Sequence, residues 1–113
     1  LMTRKEIFDI LNPIYPCYAI GEHQGECIGP YIVLKFDNQM ASMNNANCGW
    51  QFVHVFLYAP IGDITILDDM AMRVQKALKG KLEFTGDITP ELIEDEKKAY
   101  FRRLKYRIPK EVV

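Results

Sequence analysis

The run Gly49-Trp50-Gln51-Phe52-Val53-His54-Val55-Phe56-Leu57-Tyr58-Ala59-Pro60 decides the fold. Aromatic and β-branched side chains fill it, and these suit a pleated surface. At the two-residue period of a strand, Trp50, Phe52, His54, Phe56 and Tyr58 share one face, while Val53, Val55, Leu57 and Ala59 share the other. A strand that is apolar on both faces is normally covered on both, so the run reads as a central strand. Pro60-Ile61-Gly62-Asp63 breaks it. Leu67, Met70, Ala71, Val74, Ala77 and Leu78 then recur at helical spacing, a single apolar stripe that needs a sheet to cover it. Thr65 marks the helix start. Asp68 and Asp69 near that start, and Lys76 and Lys79 near the end, complement the helix dipole. Gly80 closes the segment.

Upstream, Tyr31 to Phe36 alternates Ile32, Leu34 and Phe36 against Tyr31, Val33 and Lys35, which predicts a second strand. Between the two strands lies Asn38 to Cys48, polar, asparagine-rich and without either period. It reads as the longest loop, the extended tip of an antiparallel hairpin, and loops of that length in small domains are often functional. At the start of the chain, Thr3 and Glu6 form a capping box, so a helix begins at Arg4 and ends before Pro13. Ile14 to Ile20 reads as a short extended segment, and Gly21 to Gly29 as a loop or hairpin turn.

Downstream, Leu82 to Phe84 suggests a short strand. Thr89-Pro90-Glu91 looks like a helix start, which predicts a short helix or loop over 90–97. From Arg103 the pattern alternates strictly, with Leu104, Tyr106 and Ile108 against Arg103, Lys105 and Arg107, so Tyr100 to Ile108 is predicted as a strand. The expected architecture is α+β: a mostly antiparallel sheet of about four strands, with two main helices, one packed on a sheet face. At 113 residues the whole chain, 1–113, is expected to form one domain.

Composition narrows the function classes. A formal net charge of −1 argues against non-specific wrapping of nucleic acid, which needs a basic surface. No apolar run approaches the roughly 20 residues that span a bilayer. The N-terminus lacks the apolar core of a signal peptide, and three cysteines without a dense framework fit a reducing, cytosolic setting. Cys17, His23 and Cys27, completed by Cys48 or His54, are the residues available for a metal, but the short paired spacing of structural zinc sites is absent, so small buried thiols are the simpler reading. Cys48 with His54 as thiol and base is weaker still, because His54 sits inside the apolar strand. The sequence therefore nominates no catalytic, cofactor-binding or metal-binding residue. Tyr100 and Phe101 with Arg103, Lys105 and Arg107 form a candidate surface for single-stranded nucleic acid. A third reading of the same charges is a subunit interface, in which Arg103, Lys105 and Arg107 meet Glu91, Glu94 and Glu96 of a neighbouring copy.

Taken together, Tyr31-Ile32-Val33-Leu34-Lys35-Phe36, the asparagine-rich loop, Gly49-Trp50-Gln51 leading into Val53 to Pro60, Leu67-Asp68-Asp69, Val74 to Leu78 and the ending Tyr106-Arg107-Ile108-Pro109-Lys110 resemble the tail terminator (tail completion, or minor tail) proteins of long-tailed bacteriophages and prophages. The likeness covers the chain from Tyr31 on and is one of pattern rather than of a catalytic signature. It implies a structural protein rather than an enzyme, with no cofactor. Such a protein forms a ring, commonly of six subunits, that caps the tail tube. Its expected partners are itself, the tail tube protein and the head connector protein, with neither membrane nor specific nucleic acid. A head–tail connector or neck protein of the same assembly carries much the same pattern. The expected location is the bacterial host cytoplasm during assembly and then the virion tail. On this reading Met40, Met43, Asn44, Asn45 and Asn47 form an assembly loop that meets the next protein.

Overall fold

The computed structural model describes residues 3–22, 25–41 and 48–111, with the backbone alone for 37–41, 48–50 and 109–111. The elements in chain order are helix α1 (Arg4–Leu11), strands β1 (Cys17–Ala19), β2 (Tyr31–Ala41) and β3 (Cys48–Pro60), helix α2 (Thr65–Leu78), and strands β4 (Glu83–Ile88), β5 (Leu92–Glu94) and β6 (Ala99–Glu111). The strands make one sheet in the order β1-β2-β3-β6-β4, and β5 also pairs with β6. β3 is its central strand.

The expected sheet of about four mostly antiparallel strands is corrected on two counts: the described residues form six strands, and the sheet is mixed, with β1 parallel to β2. The parallel pair follows from the segment between them. It does not turn back as a hairpin; it crosses over, and the Cys27 N–H donates to the carbonyl of Lys97 at 2.8 Å. A parallel neighbour needs such a crossover. The extra strand β5 replaces the helix or loop expected over 90–97. Leu92, Ile93 and Glu94 pair with Phe101, Tyr100 and Ala99, and the tight turn between the strands places Lys98 at φ 50°. Cross-strand partners outweigh the helix-start signal of Pro90.

β3 and β6 pair along thirteen positions, from Cys48↔Glu111 to Pro60↔Ala99. β2 pairs with β3 from Tyr31↔Tyr58 to Ala41↔Gly49, with an irregularity between Phe36 and Gln39. The loop expected over Asn38–Cys48 is therefore shorter: Gln39, Met40 and Ala41, and Cys48 opposite Glu111, belong to the ladder. β4 forms the other edge. Its register jumps between Phe84↔Tyr106 and Ile88↔Leu104, so that three residues oppose one, with Gly86 at φ 85°. That is a bulge, where glycine supplies the positive φ without a Cβ clash.

Both helices lie on one face of the sheet. The capping box expected at Thr3 and Glu6 is formed, and α1 buries Ile7 and Leu11. α2 buries Leu67, Met70, Ala71, Val74 and Leu78, and Asp63 receives the backbone N–H and hydroxyl of Thr65 at its start. These side chains share a core with Ile32, Leu34, Val53, Val55, Leu57, Leu104 and Tyr106. The alternate residues, Tyr31, Val33, Phe52, Phe56, Tyr58, Phe101, Arg103, Lys105 and Arg107, take the opposite face by the period of two. No described helix covers that face.

Candidate subunit interface

The uncovered face is built row by row from strand register. In one row, Tyr31, Tyr58 and Phe101 lie directly across β2, β3 and β6. Their rings stack, Tyr31 on Tyr58 at 4.8 Å and 10°, and Tyr58 on Phe101 at 5.7 Å and 23°, while Tyr18 meets Tyr31 edge-on at 5.8 Å. The Tyr58 hydroxyl donates to the Glu94 carboxylate; burial first, and then that neighbouring charge, push its pKa up to about 12. Burial also pushes Tyr31 up. A second row sets Val33, Phe56 and Arg103 side by side. A third sets Lys35, His54 and Lys105 side by side, with the Lys105 ammonium 4.3 Å from the centroid of the Phe52 ring. A cavity of about 290 Å³ opens on this face, lined among others by Ile20, Val33, Lys35, Phe56, Tyr58 and Lys97.

The six residues nominated as interface charges divide sharply. Arg103 pairs with Asp87 at 2.8 Å, and Arg107 with Glu83, whose carboxyl the guanidinium bond holds below its ordinary value. Glu94 is engaged by Tyr58, and Glu91 approaches Arg102 at 3.8 Å. Four of the six thus meet partners in their own chain. Lys105 and Glu96 show no ion pair among the described residues. Within one copy, Leu92–Glu94 and Ala99–Phe101 sit on neighbouring strands of the sheet. Of the assembly-loop residues, Met40 has its backbone in the β2–β3 ladder opposite Trp50; Met43, Asn44, Asn45 and Asn47 lie outside the described residues.

Tyr100 does not join Phe101. It faces the helices, paired with Ala59 and packed against the main core. The rings of Tyr31, Tyr58 and Phe101 stack on one another, and the Phe52 face meets Lys105. Arg103 and Arg107 each meet a carboxylate of β4.

The cysteines are also separated. Cys17 packs on the helix side, where burial and then Glu22 push its thiol up to about 12. Cys27 lies in the opposite cluster with Tyr31 and Ala99, donating to the Gly29 carbonyl at 3.2 Å. His23 and the Cys48 side chain lie outside the described residues. Among the described residues no three His, Cys, Asp or Glu side chains converge on a metal position. No described helix is long and apolar enough to cross a membrane.

Sequence reasoning missed Lys35 and Phe56 as parts of this surface. Each is visible only once register sets β2, β3 and β6 side by side. No family model matches the chain, and no curated protein matches it either.

Proposed function

We propose that the chain is a structural subunit of a long-tailed phage or prophage virion, a tail terminator that assembles as a ring on the end of the tail tube and helps present that end to the head connector. The observation that carries this reading is the β2–β3–β6 ladder. Past an irregularity between Phe36 and Gln39 it continues to Ala41↔Gly49 and Cys48↔Glu111, so the ladder of the central strand reaches both ends of the asparagine-rich stretch. The resemblance in residue pattern supports the same role. On this reading the protein works by surface complementarity rather than by a chemical step.

The test is co-expression with the tail tube protein of the same phage, followed by electron microscopy. The expected result is tubes of defined length, each with a cap at one end. Unlimited tubes with bare ends, in the presence of folded protein, would overturn the reading. A deletion of residues 42–47, closed by a short glycine-rich turn, is expected to stay folded and to lose capping.

A further inference from the structure

We infer that the cavity at the C-terminal end of α2 binds a small aromatic carboxylate whose ring carries a hydroxyl opposite the acid, with Tyr106 meeting the hydroxyl and Lys79 the carboxylate. The way α2 ends builds this site. Gly80 takes φ 79°, and the N–H groups of Lys81 and Leu82 both donate to the Leu78 carbonyl, at 3.0 and 3.1 Å. That tight reversal carries the chain into β4 and brings Leu82 and Phe84 back beside the last turn of the helix. Phe84 pairs with Tyr106 across β4 and β6, and their rings lie 5.2 Å apart at 45°. Tyr106 belongs to the helix-facing core. Where these elements meet, Gln75, Lys79, Gly80, Leu82, Phe84 and Tyr106 line a cavity of about 280 Å³. Small-molecule sites run from roughly 300 to 1,000 Å³, so this one suits a single ring with two substituents.

The lining sets the chemistry of the ligand. Tyr106 is only 2% exposed, yet its buried hydroxyl meets no hydrogen-bond partner among the described residues. A buried hydroxyl left unmet is costly, and it can both donate and accept. Burial pushes this phenol up to about 12, so it keeps its proton at neutral pH. Phe84, at 38% exposure, and the buried Leu82 supply apolar walls, one of them an aromatic ring. Lys79 is exposed and shows no ion pair among the described residues. It marks the open side of the cavity, as Tyr106 marks the closed one. Gln75 and Lys79 also border a wider cleft that holds Lys76 and Arg102, where the lining carboxylate, Asp68, approaches Arg102. The open side therefore favours an anion, the closed side a neutral hydrogen-bonding group, and the space between them an apolar ring. Such a site is independent of the ring reading, because it uses neither the uncovered sheet face nor the hairpin tip.

The experiment titrates the isotope-labelled full chain with para-hydroxybenzoate, benzoate and phenol and follows the amide chemical shifts. With para-hydroxybenzoate, saturable shifts centred on Gln75, residues 79–84 and Tyr106 are expected, with a dissociation constant on the order of 0.1–1 mM for a ligand of about ten heavy atoms. Benzoate, which lacks the hydroxyl, is expected to bind about fivefold more weakly. Tyr106→Phe keeps the ring and removes only the phenol oxygen, and it is expected to abolish the difference between these two probes. Lys79→Gln is expected to weaken both carboxylates about threefold and to narrow their lead over phenol. Far-UV circular dichroism checks the fold of each variant; should Tyr106→Phe fail to fold, the surface change Lys79→Gln decides by itself. Shifts that do not saturate, or that scatter over the surface, would mean an adventitious additive only and overturn the site. A folded Tyr106→Phe that still prefers the hydroxylated ring overturns it as well, as does Lys79→Gln weakening phenol as much as the two acids. None of these results bears on tube capping, which tests the ring reading separately.

Discussion

Arg102 ties three parts of the chain together from one position on β6. Its Nε donates to the Thr89 carbonyl at 3.0 Å, and its guanidinium approaches Asp68 on α2 and Glu91 at 3.8 Å each. The hydrogen bond is the firmer contribution, because both carboxylates are substantially exposed and solvent screens the pairs. Arg102→Ala is expected to destabilise by about 1–2 kcal/mol, read by urea denaturation. The tyrosines make a second residue-scale prediction. Tyr58 and Tyr106 have phenols pushed up to about 12, and Tyr31 moves in the same direction, burial being the leading cause in each. A folded pKa above the unfolded value of about 10 means that these groups stabilise the fold fully below about pH 10. That contribution is lost as pH rises from about 10 toward 12. A titration of tyrosinate absorbance is expected to show these three ionising late, together with unfolding. Early titration of all six tyrosines in a still-folded protein would contradict the burial of these three side chains.

At the scale of elements, α2 supplies five buried side chains to the core. Val74 and Leu78 are both fully buried against the sheet. Val74→Ala is expected to destabilise by about 2 kcal/mol and Leu78→Ala by about 3 kcal/mol, measured by chemical denaturation. An effect below about 0.5 kcal/mol at both positions would mean that the helix does not pack as described. α2, α1 with its capping box, and β3 were all legible in the sequence, because each is written in local chemistry: a helical stripe, a Thr–Glu pair, a long apolar run. β1 was legible only as a short extended segment over Ile14–Ile20, without its parallel pairing, and β5 was not legible. Each has three residues, too few to show a period, and each pairs with a longer strand beside it. Pro90 carried a local helix signal, and the pairing of Leu92–Glu94 with β6 overrode it.

Across the whole molecule, the division between a covered and an uncovered sheet face is what the sequence only half disclosed. Alternation in β6 separates Leu104, Tyr106 and Ile108 from Arg103, Lys105 and Arg107 and so announces a basic face. It cannot announce that Glu83 and Asp87, some twenty residues upstream, neutralise two of the three cations, because β4 reaches them only through sheet order. For the same reason Lys35 became part of the surface only when β2 was set opposite β3. Candidate sites built from neighbours in sequence, such as Tyr100 beside Phe101, dissolve on a strand, where adjacent residues point to opposite faces.

The bulge at Gly86 has a bearing on whether the sheet can take up a foreign strand. A sheet can recruit a foreign strand only along a free, regular margin of N–H and C=O groups. Here β1 covers Ile32–Leu34 of β2 on one margin, and on the other β4 is interrupted by three residues opposing one. β5 adds only three residues more. Backbone templating, which has no natural stopping point and runs on into fibrils, is thereby discouraged along the β4 margin.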